Sequence, residues 1–195
     1  MNRLLLATRN AHKTREFAAI LGPDFVVGDL ATESSAPSVE ETGSTFAENA
    51  ILKAVAISKW SDGLVVADDS GLEVDALAGA PGVYSARYAG PGATDHENIA
   101  RLLSELRACA WESVITARFR CVLALAYAGE LLETFGGVVE GTIVDPPRGH
   151  GGFGYDPVFQ PVGLTQTFGE LVPEEKNRMS HRAQAIWLLR KALAD

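Results

Sequence analysis

The chain has 195 residues, with 47% hydrophobic and 22% charged residues and a formal net charge of −8, which is typical of a globular protein with one substantial core. The negative charge disfavours nucleic acid as a partner because phosphate contacts need a basic face, but a small anionic ligand is allowed where cations converge locally. No stretch approaches the roughly 20 apolar residues of a membrane span and no signal-peptide pattern is present, so the sequence predicts a cytoplasmic protein without a membrane partner.

The first thirty residues predict a strand, a helix and a second strand. Residues 3–7 are apolar and short, as in a buried strand. Asn10 stands where a helix N-cap is expected, and Gly22 with Pro23 marks the end of that helix. Residues 25–30 then predict the second strand.

The middle of the chain begins with a polar loop over residues 31–44. Thr45 with Glu48 forms a capping-box pattern, which predicts a helix that runs to about Trp60. Residues 64–67 predict a third strand that ends at the Asp-Asp-Ser-Gly sequence of residues 68–71. Residues 78–92 are rich in glycine and proline and predict a loop, and a second capping box over residues 94–97 opens another helix.

The last third predicts a hairpin, a loop and two helices. Residues 114–127 and 131–144 are the two strands of the hairpin, and a glycine- and proline-rich loop covers residues 145–157. Pro173 begins a short helix, and Ser180 caps the last one. The order βαβ-α-β-α-ββ-αα predicts an α/β protein with a mixed sheet and a single domain over residues 1–195. Cys109 and Cys121 are predicted to be reduced thiols.

Two polar segments follow predicted strands, where α/β proteins place ligands. Thr8, Asn10 and Lys13 surround a predicted helix start, which offers free N–H groups to an anion, or else form only a cap with a solvated lysine. Asp68 and Asp69 are adjacent in the chain, so their side chains should point to opposite faces. One carboxylate would hold a metal ion or a water while the other braces a loop, unless the segment is an ordinary turn.

A second pair of carboxylates, Glu40 and Glu41, lies in the predicted exposed loop. One of them would supply a further oxygen ligand for Mg²⁺, which prefers carboxylates and keeps several waters. A solvated charge pair is the alternative reading. The sequence alone leaves both open.

The glycine-dense segment 149–157 predicts a backbone that approaches a flat ligand closely, with Phe153 or Tyr155 stacked on a base unless they are core aromatics. A G-x-G-x-x-G match in it precedes a strand, which excludes a dinucleotide-binding turn. Downstream, His181 and Arg182 stand at a helix start, where the dipole disfavours cations. This conflict indicates an anionic ligand, although solvated charge is the alternative.

Six segments recur here in the order and spacing of one family. They are TRNAHK (8–13), EETGSTFAENA (40–50), ADDSGL (67–72), GAPGVYSAR (79–87), GGFGYDP (151–157) and KNRMSHR (176–182). Over nearly the whole chain the sequence thereby resembles the Ham1/RdgB family of inosine and xanthosine triphosphate pyrophosphatases. The resemblance implies an elongated, Maf/Ham1-like α/β fold with two lobes around a central substrate cleft, and a homodimer.

The resemblance also implies an activity and a site. The activity is Mg²⁺-dependent hydrolysis of the non-standard purine triphosphates ITP, dITP and XTP to monophosphate and pyrophosphate. By position, Asp69 is implied as proton acceptor and metal ligand, and Glu40 as a second metal ligand. The implied substrate contacts are Thr8, Asn10, Lys13, Lys53, Ser70 and Lys176 for the triphosphate, and Phe153, Gly154, Tyr155, Asp156, His181 and Arg182 for the base.

Two questions stay open at this level. Arg9 stands where the family usually has glycine, so it is either strained at a positive φ or adds a phosphate contact. The base preference is predicted from Arg182, whose donors suit the O6 acceptor of hypoxanthine and xanthine but not the amino group of adenine. The alternatives are a pyrophosphatase with another base preference and a non-catalytic nucleotide- or RNA-binding module.

Overall fold

The computed structural model describes residues 2–109 and 114–194, which divide into two compact units. Unit 1 is the described part of residues 1–69, 121–137 and 182–195, and unit 2 is the described part of residues 70–120 and 138–181. The helices are α1 (Ala11–Leu21), α2 (Phe46–Trp60), α3 (Asp95–Ala108), α4 (Pro173–Lys176) and α5 (His181–Ala192). The strands are β1 (Asn2–Leu6), β2 (Phe25–Asp29), β3 (Val65–Val74), β4 (Ile115–Tyr127), β5 (Glu130–Ile143) and β6 (Phe159–Pro161).

The strands form one sheet in the order β2-β1-β3-β4-β5-β6. Strand β1 pairs in parallel with both β2 and β3, whereas β5 pairs antiparallel with β6. The sheet is therefore mixed, as the order of predicted elements indicated. Over the described residues, no helix combines the length and the apolar character that a bilayer crossing requires.

In unit 1, alternate residues of β3 pack against different helices. Val66 belongs to a buried cluster with Phe17 of α1 and Ile186 of α5. Val65 and Ala67 belong to a second cluster that contains Ala50, Ala54 and Ile57 of α2. Because side chains alternate along a strand, Asp68 lies on the same face of β3 as Val66, toward α1 and α5. Asp69 lies on the same face as Val65 and Ala67, toward α2.

Unit 2 has its own core, in which α3 packs with the aromatic side chains of β4, β6 and the segment before α4. Phe119 lies edge-on to Phe159, with 4.7 Å between ring centroids. The segment 82–85 approaches β3 closely at Gly71, where an added Cβ would lie 2.3 Å from the Ser85 hydroxyl oxygen. That hydroxyl accepts a hydrogen bond from the Leu72 N–H at 3.0 Å.

Three features differ from the sequence prediction. Strand β3 does not end at residue 67 but continues to Val74, because Leu72 and Val74 are buried in the core of unit 2. The predicted loop 78–92 contains a 3₁₀ helix over Gly82–Arg87. The hairpin turn is also one residue shorter than predicted: Ala128 and Gly129 have φ values of 50° and 86°, as in the two-residue turns that suit twisted hairpins.

Candidate active site

The carboxylate of Asp68 is the centre of a buried ion network in unit 1. Its Oδ1 accepts from Lys13 Nζ at 2.5 Å and its Oδ2 from Arg182 Nε at 2.8 Å. Arg182 also donates to Glu16 Oε2 at 2.5 Å, and the Cys121 thiol donates to Asp68 Oδ2 at 3.3 Å. Burial raises the pKa of Asp68, but the charges of Arg182 and Lys13 outweigh it and hold this pKa well below its usual range. Asp68 is therefore ionised and fully engaged.

The carboxylate of Asp69 lies on the other face of β3, against a lysine of α2. Lys53 Nζ donates to Asp69 Oδ1 at 3.0 Å, to Glu41 Oε1 at 2.7 Å and to the Asp68 carbonyl oxygen at 2.9 Å. Asp69 Oδ2 is buried and has no hydrogen-bond partner within the described residues. An unsatisfied buried oxygen is costly unless something binds it, so this atom has capacity for a ligand.

Electrostatics make Asp69 a better base than an ordinary aspartate. Burial is the largest influence and raises its pKa above the usual 3.8, although Lys53 and Lys13 oppose the rise. Burial lowers the pKa of Lys53, but the negative charges of Asp69 and Glu41 outweigh it and raise that pKa. The ion pair of Lys53 and Asp69 thus contains a carboxylate whose proton affinity is increased toward the range useful in general base catalysis.

The loop that carries Glu41 is tied to the start of α2. The Gly43 N–H donates to Asn49 Oδ1 at 2.8 Å, and an added Cβ at Gly43 would lie 2.6 Å from the Glu48 Cβ. Glu48 Oε2 accepts from the Ser44 N–H at 2.6 Å. The sequence-based prediction gave Asn49 no role beyond its place in a family motif. The signal that could have indicated this contact was an asparagine just inside a capped helix start.

The loop between β1 and α1 has the conformation of a helix cap. Asn10 Oδ1 accepts from the N–H groups of His12 and Lys13 at 2.9 and 3.3 Å, and Thr8 Oγ1 accepts from the Asn10 N–H at 3.1 Å. Arg9 is not among the described residues with positive φ, so arginine is unstrained there. Its guanidinium donates to the Ala36 carbonyl oxygen at 3.3 Å, which gives it a bracing contact.

In unit 2, Asp156 holds two of the predicted site residues. Its Oδ2 accepts from Lys176 Nζ at 2.6 Å and from the Phe153 N–H at 2.9 Å. The Lys176 ammonium also lies 4.9 Å from the Phe153 ring centroid and 5.7 Å from that of Phe168. Gly152 is required beside this group, because its φ is +71° and an added Cβ would lie 1.9 Å from Asp156 Oδ2.

The other predicted base contacts have structural partners of their own. The Tyr155 hydroxyl is buried and donates to the Ser85 carbonyl oxygen at 2.9 Å, and its ring belongs to the core of unit 2. The buried His181 ring stacks on Phe119, with centroids 4.7 Å apart and planes 8° apart. Ser70, which was predicted to contact the triphosphate and not the base, is a half-buried residue of β3.

The structure thus brings the predicted residues into three groups. Lys53 and Asp69 meet in unit 1 together with Glu41, which was predicted from the sequence as one of two possible oxygen ligands for Mg²⁺ and which the family resemblance passed over in favour of Glu40. Lys13 and Arg182 meet on Asp68, and in unit 2 Phe153, Asp156 and Lys176 form the third group. Glu40, by contrast, is exposed and is not the glutamate on Lys53; its role as a metal ligand stays a prediction, as do the substrate contacts.

Sequence comparison supplies the class of protein to which this fold and these carboxylates belong. Residues 4–192 match the family model described as the Ham1 family, and the chain therefore belongs to the Ham1 family. A dITP/XTP pyrophosphatase of Geobacillus kaustophilus is 52% identical to it over 187 residues, with 95% of this chain and 91% of the relative covered. A dITP/XTP pyrophosphatase of Bacillus subtilis is 49% identical over 194 residues, with 99% and 98% covered.

Solved structures carry the same fold. A HAM1 protein from Coxiella burnetii matches with a TM-score of 0.89 at 44% identity, covering 100% of this chain and 99% of its own. The Ham1 protein of Staphylococcus aureus matches with a TM-score of 0.86 at 42% identity, covering 99% and 98%. The predicted mixed α/β fold of the Ham1 type is thereby confirmed.

Proposed function

We propose that this chain is a hydrolase of the nucleotide pool, a dITP/XTP pyrophosphatase that converts ITP, dITP and XTP to monophosphate and pyrophosphate. Relatives that are about half identical over nearly the whole chain are dITP/XTP pyrophosphatases, which supports this assignment. The observation in the structure that carries it is the Asp69 carboxylate, which has a raised pKa and a lysine on one oxygen. Its second oxygen is buried and has no hydrogen-bond partner among the residues that the structure describes.

Asp69 acts in this proposal as the general base that orients a water and accepts its proton. The water attacks the α-phosphorus, the bond from that phosphorus to the bridging oxygen breaks, and pyrophosphate leaves. Lys53 stabilises the negative charge that develops on the phosphate oxygens, since its ammonium is held beside Asp69. No serine or cysteine nucleophile is required.

The triphosphate is assigned to the residues of the β1–α1 loop and to the lysines. Helix α1 begins at Ala11, directly after Thr8 and Asn10, and a helix start favours an anion. The side chains of Lys13 and Lys53 keep 15% and 13% of their surface exposed, whereas Lys176 keeps 5%. Ser70 and Lys176 remain in the proposed triphosphate set on the strength of family position.

The residues around Asp69 fit a magnesium ion that arrives with the triphosphate. Within the described residues, no group of three His, Cys, Asp or Glu side chains is arranged as a ready-made metal site. Mg²⁺ needs fewer, because it is commonly held by one or two carboxylates, several waters and the substrate phosphates. Asp69 Oδ2 supplies one unsatisfied oxygen, and Glu40 is the proposed second ligand. When bound, the ion would neutralise phosphate charge and lower the pKa of a coordinated water.

The purine base is assigned to the segment Phe153–Asp156 with His181 and Arg182. Phe153 is half-buried, so part of its ring remains available for stacking, and Gly154 presents backbone groups. Tyr155, Asp156 and Arg182 are buried and hydrogen-bonded to the protein, which favours a supporting role for their side chains. Arg182 is therefore a less suitable donor to O6 than its sequence position indicated. The N–H groups of Phe153 and Gly154 already donate to carboxylates of the protein, so the Tyr155 N–H is the backbone donor proposed for O6.

The chain is further proposed to act as one catalytic domain over residues 1–195, as a cytoplasmic homodimer in the compartment that holds the nucleotide pool. The dimer and the location rest on family resemblance. Light scattering at micromolar concentration is expected to give twice the mass of the 20.8 kDa chain. A particle of the single-chain mass would contradict the dimer and leave the activity untouched.

Hydrolysis of ITP in ¹⁸O-labelled water with Mg²⁺ tests the reaction directly. One labelled oxygen is expected in the inosine monophosphate and none in the pyrophosphate, because water attacks the α-phosphorus. Mass spectrometry of both products measures the distribution. Label in pyrophosphate, or release of orthophosphate with inosine diphosphate, would mean that another bond is cleaved.

ATP in the same assay is the control for base selectivity. A site that pairs with O6 leaves a polar group unsatisfied against the amino group of adenine, and such sites discriminate by up to ~10⁴-fold. ITP is expected to exceed ATP in kcat/KM by at least ~10²-fold. Equal efficiency with ATP would support the alternative, a pyrophosphatase with another base preference.

A further inference from the structure

A carboxylate at the start of α3 holds the middle of the Phe153–Asp156 segment. The Gly154 N–H donates to Asp95 Oδ2 at 2.6 Å. Asp95 is the first residue of α3, 59 positions before Gly154 in the chain. Hydrogen bonds from an N–H to a carboxylate are shorter and stronger than those between neutral groups. This contact therefore anchors the segment to the start of α3.

Helix α3 does not need the Asp95 carboxylate for its own cap. Thr94 Oγ1 accepts from the Glu97 N–H at 3.3 Å, and Glu97 Oε2 accepts from the Thr94 N–H at 2.8 Å, which completes a capping box. The cap therefore depends on Thr94 and Glu97, while the carboxylate between them is directed to Gly154. This separation allows the two functions to be tested independently.

Gly154 needs an external anchor because its own backbone is permissive. Gly152 and Gly154 have φ values of +71° and +61°, in the left-handed region that glycine enters readily. The neighbours of Gly154 are already fixed: the Phe153 N–H is bonded to Asp156, and the Tyr155 hydroxyl to Ser85. The bond from Asp95 fixes the peptide group between them.

We propose that Asp95 is a positioning residue for base selectivity: it fixes the Gly154 peptide, and with it the Phe153 ring and the backbone groups that face the purine. The inference rests on the proposed function, since it assigns the segment to the base. Asp95 acts through Gly154 and does not touch the reacting phosphate, so its removal should affect substrate affinity and base discrimination more than turnover.

Three variants separate this role from helix stability. Asp95→Ala removes the acceptor, Asp95→Asn keeps a neutral acceptor of nearly the same shape, and Thr94→Ala removes the cap but leaves the anchor. Without this hydrogen bond the segment must be ordered when the base binds, and the free energy of one hydrogen bond to a charged group then corresponds to roughly tenfold in affinity. Asp95→Ala is therefore expected to raise KM for ITP about tenfold and to reduce the ITP/ATP ratio of kcat/KM, with kcat within about twofold of wild type.

The other two variants give the controls. Asp95→Asn is expected to recover most of the affinity. Thr94→Ala should lower Tm through the lost cap and leave KM and the ITP/ATP ratio unchanged. If Thr94→Ala reproduces the Asp95→Ala kinetics, or if Asp95→Ala leaves KM and the ratio unchanged, the positioning role is overturned.

Hydrogen exchange at the Gly154 amide provides a readout that does not depend on activity. In ¹⁵N-labelled protein, Asp95→Ala is expected to accelerate this exchange at least tenfold, whereas Thr94→Ala should not. A Gly154 amide that is indifferent to Asp95→Ala overturns the anchor even if ITP is hydrolysed. A wild-type protein that does not hydrolyse ITP overturns the proposed function and the selectivity role with it, while the exchange result still decides whether the anchor exists.

Discussion

Asp69→Asn is expected to lower kcat for ITP hydrolysis by at least ~10²-fold while the protein remains folded. The amide cannot accept a proton from water, and it replaces the carboxylate whose buried Oδ2 has no hydrogen-bond partner in the described part of the chain. Steady-state pyrophosphate release at saturating ITP and Mg²⁺ measures the effect. Burial raises the folded-state pKa of Asp69, so its ionised form disfavours folding at pH values above that pKa. The substitution also removes one of the two carboxylates that contact Lys53, while Glu41 remains, so a thermal melt accompanies the assay to verify that the variant is folded.

Asp24→Asn is the matched control for this substitution. Asp24 also belongs to unit 1 and pairs with Arg190 at 3.2 Å, but it is largely exposed. The same change of charge should leave kcat unaltered there. A folded Asp69→Asn protein with near-wild-type turnover would remove Asp69 from the role of general base.

Asp68→Asn is expected to produce a large loss of stability instead of a primary loss of turnover. Removing one partner from a buried ion pair usually costs about 3–5 kcal/mol, because the remaining charge stays buried. Here Lys13 would lose its ion pair with Asp68, and Arg182 would lose one of the two carboxylates that it contacts. For a chain of this length that corresponds to a fall in Tm on the order of 10 °C. Urea unfolding at neutral pH measures the loss.

The pH dependence of that loss identifies its cause. The folded-state pKa of Asp68 lies well below the ordinary 3.8, so its contribution to stability is present above 3.8 and disappears as pH falls through the folded-state value. The difference between wild type and Asp68→Asn should therefore narrow in acid. A difference that is equal at neutral and acid pH would indicate a packing defect, and the exposed pair of Asp24 and Arg190 supplies a control with little expected effect.

Local rules in the sequence were sufficient for the helix caps and for the directions of these two carboxylates. The caps at Asn10, Thr45 and Thr94 are present as predicted, since capping depends on residues within one helical turn. The opposite faces of Asp68 and Asp69 followed from the period of a strand. Such features are decided by neighbours in the chain, which a single sequence displays.

The partners of those carboxylates could not be predicted in the same way. Arg182 lies 114 positions from Asp68, and no rule of spacing connects them. The cation at the start of α5 indicated an anionic ligand, but the structure supplies Asp68 and Glu16 as its anions. The end of β3 was predicted too early for the same reason. In the sequence, Asp-Asp-Ser-Gly resembles a turn, and the cations that pair with its carboxylates and allow it to lie within a strand are distant in the chain.

The thiol that donates to Asp68 has a consequence for chemical labelling. Cys121 is buried and Cys109 is exposed, and burial raises the pKa of the Cys121 thiol well above its usual value. Alkylating reagents attack the thiolate, so native protein should be modified at Cys109 alone. In a Cys109→Ser variant, the rate at which Cys121 is alkylated would then measure how often the buried network around Asp68 opens to solvent.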